Sequence, residues 1–464
     1  MKVLLIIPNL VGDKGKPTAP SPGIAYIASF LLSHKHDVKI VDMRIDKNIL
    51  FLFNKIKDYD PDYVGVSFMT KEYLKSYDLV NKIKREFPNK KLIIGGAHPS
   101  TIEERVLKET VADLAVMGEG EKCMLDLCNE RPLQEISGLI WRKEGKIIKN
   151  DRREFIADLD SLPFPAYDLF PMEEYIDKKI PIVSSRGCPY QCIYCAMKKI
   201  LGAKWRSRSA ENVYKEIEYW YNKGYSFFHI VDDNFTLDLN RAEKICDLII
   251  ENNLLIKWDL RNGIRVDRVN EHLLYKMKKA GCFYLAFGIE SFDPVVLKNM
   301  KKGATREDAI NAIKLVKKVG IPAGAFFMIG LPGDTPERFT ETYNLAKSAG
   351  LEEVRFYNVI PFPETELFDY LVNTNAFLKQ PEEYLNLSSK FLNDPLYTSE
   401  DFSNEDKIKA LEKGQNLVMK KLLKKEFGFI VGFTAFFLWQ IKPLRFFLKK
   451  VGVFVWSFIR KHKK

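Results

Sequence analysis

The stretch Arg186-Gly187-Cys188-Pro189-Tyr190-Gln191-Cys192-Ile193-Tyr194-Cys195 decides how the rest of the chain is read. Three cysteines fall within eight residues, spaced CxxxCxxC, directly after the apolar run 182–185. Thiolates hold iron–sulfur cubes, and one compact loop can offer three of them to a single cube. A cube of four irons then keeps one iron open to a small molecule. Structural zinc normally needs four closed ligands from two separated pairs, and no second pair follows here. The chain has seven cysteines, an odd number, and no secretory signal is expected at its start, so a disulfide framework is not the reading.

Outward from the loop, strand-like runs recur at 182–185, 227–231, 256–260, 283–287, 325–329 and 354–359. Helical patterns at 210–221, 273–280 and 306–319 lie between them. Six strand–helix units predict a partial (β/α)6 TIM-type barrel, with its site at the carboxyl ends of the strands. Upstream, short apolar runs at 3–7, 38–41, 63–67, 92–94 and 114–117 alternate with helices such as 23–33. That pattern predicts a Rossmann-like parallel sheet, with ligands at the strand ends. A hairpin about Glu144-Gly145 and a Pro-rich stretch at 159–171 follow. The fold class is therefore α/β, with expected units at 1–140, 141–175 (hairpin and linker), 176–385 (barrel) and 386–464 (helical tail).

The cysteine loop resembles that of the radical S-adenosylmethionine (SAM) enzymes, and the resemblance runs over about residues 176–370. It implies that Cys188, Cys192 and Cys195 ligate a 4Fe-4S cluster and that SAM chelates the open iron and is cleaved reductively. It implies SAM-binding roles for Tyr194 (adenine), Asp232 (ammonium), Arg265 (carboxylate), Glu290 and Ser291 (ribose) and Gly330 (adenine loop). An Asp after a strand is also a common helix cap, and Gly-Pro runs are ordinary turns. The first unit resembles the cobalamin-binding domain that precedes many such barrels, through 22–28, Gly65-Val66-Ser67, Gly95-Gly96-Ala97-His98-Pro99 and Gly118-Glu119-Gly120-Glu121. That implies cobalamin near Gly23, Gly65, Ser67, Gly95, Gly96 and Glu119, although the Asp-x-His-x-x-Gly motif of other cobalamin proteins does not occur.

The activity so implied is cobalamin-dependent methylation of an unactivated carbon in an apolar or lipid-like small molecule. An external electron donor of flavodoxin or ferredoxin type would serve it. Radical cyclisation or rearrangement remains an alternative, as does a non-catalytic iron–sulfur protein. A tRNA methylthiotransferase would carry a second cysteine trio near its start, where only Cys123 and Cys128 occur.

Charge narrows the partners. The 72 Lys and Arg exceed the 61 Asp and Glu by a formal +11. From Lys420 to Lys464 there are twelve basic residues and one acidic residue, Glu426, so the excess belongs to this tail and the body is neutral. A neutral body argues against nucleic acid. The run 427–441 has no charged residue, and at 15 residues it is shorter than the roughly 20 needed to span a bilayer. Beyond it Leu444, Phe447, Leu448, Val451, Val455 and Phe458 share a helical stripe, while Lys442, Arg445 and Lys449 share another. Such a helix suits an anionic membrane surface, which predicts a cytoplasmic protein with a peripheral membrane contact.

Overall fold

The structure is a computed structural model that describes residues 1–9, 16–71, 73–385 and 394–440. The first unit is a seven-stranded sheet of β1 (Lys2–Ile7), β2 (Asp37–Asp42), β3 (Tyr63–Ser67), β4 (Lys91–Gly95), β5 (Leu114–Val116), β6 (Leu139–Lys143) and β7 (Lys146–Lys149). The strand order is β2-β1-β3-β4-β5-β6-β7, with β1 to β5 parallel and the last two antiparallel. Along β1, Val3, Leu5 and Ile7 enter one core while Leu4 and Ile6 enter another. Both faces are thus covered, which is why the strand reads as an unbroken apolar run. The order reverses about β1 and β3, and the crevice of such a sheet lies at their carboxyl ends. The hairpin turns on Glu144 (φ 50°) and Gly145 (φ 78°), a two-residue turn with both φ positive. It bonds to β5, so the sheet runs to Lys149, past the boundary expected at 140.

The second unit opens with β8 (Ile180–Ile182) and a short antiparallel pair, β9 (Ser185–Arg186) with β10 (Arg206–Ser207), which brackets the cysteine loop. Then come β11 (Phe227–Ile230), β12 (Lys257–Ile264), β13 (Cys282–Glu290), β14 (Ala323–Ile329) and β15 (Glu353–Asn358). With β8 they form a parallel sheet ordered β15-β14-β13-β12-β11-β8, the partial barrel predicted. Leu260, Leu285, Phe287, Phe327 and Phe356 all enter the core shared with the surrounding helices. Residues alternating with them on each strand therefore face the inside of the barrel.

The helix Asn404–Gln440 covers the edge strand β15; a Cβ on Gly414 would stand 2.6 Å from Phe356 Cβ. The helix breaks at Gly428 (φ 75°), and Lys420 Nζ lies 5.9 Å from the Phe436 ring. A straight helix would hold those residues about 24 Å apart, so the chain doubles back at the glycine. Among the described residues no helix is long and apolar enough to cross a membrane. The amphipathic stripe from Leu444 to Phe458 lies outside the described residues.

Candidate functional site

The cysteine loop is fixed at both ends by backbone geometry. Gly187 has φ 84°, and a Cβ there would lie 2.5 Å from Lys204 O, so only glycine fits. Cys188 N donates to Gly202 O (3.3 Å), Cys195 N to Cys192 O (3.1 Å) and Ile193 N to Met300 O (3.2 Å). The three cysteines line one cavity of about 520 Å³ with Arg152, Phe155 and Tyr190. Burial pushes the Cys195 thiol up to about 11, while the Met197 amide counteracts that, as the Tyr190 amide does at Cys188. Three thiols on one tight loop, with amides aimed at the sulfurs of Cys188 and Cys195, fit a cube better than an isolated ion. A larger cleft of about 800 Å³ opens against β2 and the helix Ile49–Tyr59, and no cysteine lines it.

The strand ends redistribute the expected SAM contacts. The Asp232 carboxylate accepts Ser184 N, Ser184 Oγ and Ser185 Oγ, each at 2.6 Å. Its neighbour is not tied in this way. The Asp233 carboxylate has no hydrogen bond among the described residues, its charge is felt by Cys188 and Cys195, and burial pushes it up to about 6. Arg265 is buried beside the loop, 3.5 Å from the Tyr190 ring centroid, but Asp267 already pairs with it at 2.8 and 3.0 Å. Its Nη1 donates to Lys302 O (2.7 Å). Glu290 adopts φ 69°, uncommon for a residue with a side chain, and its carboxylate takes Lys302 Nζ at 3.1 Å. Tyr194 Oη lies 3.4 Å from both.

Two further strand-end residues have partners within the protein. Ser291 Oγ lies 3.3 Å from Thr342 Oγ1 and accepts Asp293 N at 3.0 Å, which steadies the residue whose side chain caps the next helix. Gly330 is held from behind: its N–H donates to Asp334 (2.9 Å), its carbonyl accepts Tyr397 Oη (2.6 Å), and a Cβ would meet Lys407 Cε at 3.1 Å.

On the first sheet, Ser67 and Gly95 end β3 and β4, and Gly96 has φ 101° with Phe68 O only 2.6 Å from a would-be Cβ. Gly23 opens a helix with nothing within 4 Å of a Cβ. These four border the crevice where backbone can approach a bulky ligand closely. Gly65 is buried within β3, and a Cβ there would stand 2.9 Å from Leu5 Cδ2. His98 is buried, stacked on Tyr73 at 4.4 Å, and shares a 2.8 Å hydrogen bond with Tyr77 Oη; burial holds it down at about 3, hence neutral.

Glu119 stands where the first unit meets the cysteine loop. Its carboxylate is buried between Arg186 Nη1 (2.9 Å) and Arg206 Nη1 (2.8 Å), and it accepts Ile156 N at 2.7 Å. Glu121 takes the other arm of Arg186 at 2.7 Å. This cluster ties the first unit to the residue that opens the cysteine loop. Sequence reasoning placed a carboxylate within Asp232-Asp233-Asn234 but did not single out Lys302, Arg186 and Arg206. Of these only the Arg before Gly187-Cys188 carried any signal.

Comparison with known proteins agrees with this layout. The model of the radical SAM superfamily matches residues 182–346, and that of the B12 binding domain matches residues 8–127. An uncharacterized methyltransferase, PH0819, of Pyrococcus horikoshii is 33% identical over 93% of this chain and 96% of its own. The cytidylyl-2-hydroxyethylphosphonate methyltransferase of Streptomyces wedmorensis is 29% identical over 83% of this chain and 84% of its own. In fold, the radical SAM methyltransferase TsrM of Kitasatospora setae, solved with cobalamin and a [4Fe-4S] cluster, superposes with a TM-score of 0.70 at 20% identity, covering 82% of this chain and 79% of its own. With the cysteine loop on a partial barrel and a B12-type sheet clamped to it, the chain belongs to the radical SAM superfamily of enzymes, in the group that carries a B12-binding domain.

Proposed function

We propose that the chain catalyses cobalamin-dependent radical methylation of an unactivated carbon in an apolar or lipid-like small molecule. The observation that supports this reading is the buried clamp of Glu119 on Arg186 and Arg206 and of Glu121 on Arg186, which joins the B12-type unit to the strand that opens the cysteine loop. When bound, the cluster supplies the electron that cleaves SAM, and cobalamin supplies the methyl carrier. Cys188, Cys192 and Cys195 hold the cluster. Asp233, rather than Asp232, offers a carboxylate to the SAM ammonium, while Tyr194, Glu290 and Arg265 line the same rim with Lys302. Gly23, Ser67, Gly95 and Gly96 let cobalamin approach the first sheet. A small flavodoxin- or ferredoxin-type protein delivers the electron from outside.

Anaerobic reconstitution with iron, sulfide and cobalamin tests the reading. Reduced protein given SAM should form 5′-deoxyadenosine, and Cys192→Ala should lose both iron and turnover. No 5′-deoxyadenosine from the cluster-loaded wild type refutes it.

The basic tail docks the enzyme on an anionic membrane. Phe437 is exposed after the break at Gly428, and the Lys420–Lys425 segment precedes it. Flotation with anionic liposomes should recover the full chain and not a chain cut after Lys424. Equal recovery of both removes the membrane claim.

A further inference from the structure

The inner face of the barrel holds a polar network that the proposed chemistry does not use. In a closed barrel of this type, bulky side chains fill the interior. Here inner positions of the central strands combine the small residues Gly263, Ala286, Gly288 and Gly324 with Tyr284 and Phe326, whose rings pack over Gly324 and Gly263. Beside them β12 throws a bulge. Leu260 pairs with Leu285 and Ile264 with Phe287, so Arg261, Asn262 and Gly263 together oppose Ala286 alone. Gly263 has φ 97°, the conformation such a bulge needs. Bulges re-aim side chains beside active sites, and this one turns Arg261 over the ring of Tyr284, 4.2 Å from its centroid.

Tyr284 then connects Arg261 to the far strand. Its hydroxyl donates to Glu353 at 2.8 Å, crossing above Gly324, and Glu353 pairs with Arg355. Two guanidiniums from β12 and β15 thus meet in one network across the barrel. Neither is saturated. Asp259 is shared by Arg261 Nε (2.8 Å), Lys179 (3.2 Å) and His229. The two terminal nitrogens of Arg261 have no acceptor among the described residues, and Arg355 Nη1 has only Tyr357 Oη at 3.5 Å. Their side chains remain 42% and 49% exposed although they lie inside the barrel. Guanidinium forks with free donors on a solvent-accessible inner face match the planar oxygens of a carboxylate or phosphoryl group.

We propose that Arg261 and Arg355 receive an oxyanion of the substrate inside the barrel, so that the methylated molecule is an acid, with its apolar part directed toward the cysteine loop. This rests on the radical methylation reading for what happens next, but not for the binding itself. Arg355 pairs with Phe326, and Phe326 with Gly288, two residues short of Glu290. The anion would therefore sit about 7 Å below the rim that Glu290 marks.

Reconstituted full-length protein is titrated with methylphosphonate and, separately, acetate, reading binding by NMR line broadening and saturation transfer. The wild type should bind at least one, and the arm that binds names the phosphoryl or carboxylate class. The R261Q/R355Q variant should bind about tenfold more weakly or worse, the loss expected for charge-assisted hydrogen bonds. Absence of binding to the wild type, or unchanged binding by the double variant, overturns the proposal. If the double variant fails to fold, R261Q and R355Q singly carry the test, and unchanged binding by both overturns it. Formation of 5′-deoxyadenosine by the wild type is scored separately, so failure of the radical reading and failure of the anion site are told apart.

Discussion

Asp232 and Asp233 share a strand end, but only the first is tied into the fold. Asp232→Asn would strip a charged acceptor from Ser184 N, Ser184 Oγ and Ser185 Oγ in a buried site. Unmade buried hydrogen bonds of this kind cost roughly 1–3 kcal/mol. Chemical denaturation should show that loss for Asp232→Asn, whereas Asp233→Asn should keep its stability and weaken SAM binding in equilibrium dialysis. The sequence placed an acidic group here but could not choose between neighbours, because the choice depends on where β8 and β9 bring their serines. The same limit applies to Ser291 and Glu119, whose partners Thr342 and Arg206 lie 51 and 87 residues away. The cysteines were legible because their spacing is local.

Asp334 carries a pH prediction at the same scale. Burial raises it to about 7. In the unfolded chain it would release its proton near the usual carboxylate value, about 3.9. Between these values the folded protein keeps a proton that the unfolded chain has lost, so this residue's contribution to stability falls as pH rises from about 4 to 7. Asp334→Asn removes the titration. Denaturant melts at pH 5 and 7 should show the variant gaining on the wild type at the higher pH, and an unchanged difference would refute the assignment.

At the scale of elements, the helix Asn404–Gln440 does for the open barrel what a further strand–helix unit would do in a closed one. It covers β15, and Gly414 allows it to lie directly on Phe356. Gly414→Val would force a side chain into a space of 2.6 Å. Overpacking of this sort costs about 1–3 kcal/mol, which differential scanning calorimetry should register as a lower Tm. The strand runs around it were legible from apolar periodicity, and the helix Arg306–Val319 appears with the limits expected of it. The bulge in β12 and the extension of β13 to Glu290 were not legible, because polar inner residues such as Arg261 and Glu290 break the apolar pattern that marks a strand.

At the scale of the whole molecule, chemistry that needs two cofactors requires two domains held in one register. That register is held in part by Glu119, Glu121, Arg186 and Arg206, whose side chains are all buried. A buried pair is weak evidence of net stabilisation, but removing one partner leaves an uncompensated charge and costs about 3–5 kcal/mol. Glu119→Ala should therefore destabilise strongly, since it orphans Arg206 and one arm of Arg186 at once. Because Arg186 lies two residues before Cys188, the damage should also reach the cluster: reconstituted Glu119→Ala should hold less iron at temperatures where it is still folded. Glu174→Ala, which breaks only the exposed pair with Lys16, should change neither quantity beyond about 0.5 kcal/mol or its equivalent in iron. Wild-type iron content in a folded Glu119→Ala protein would mean that the clamp joins the domains without ordering the loop.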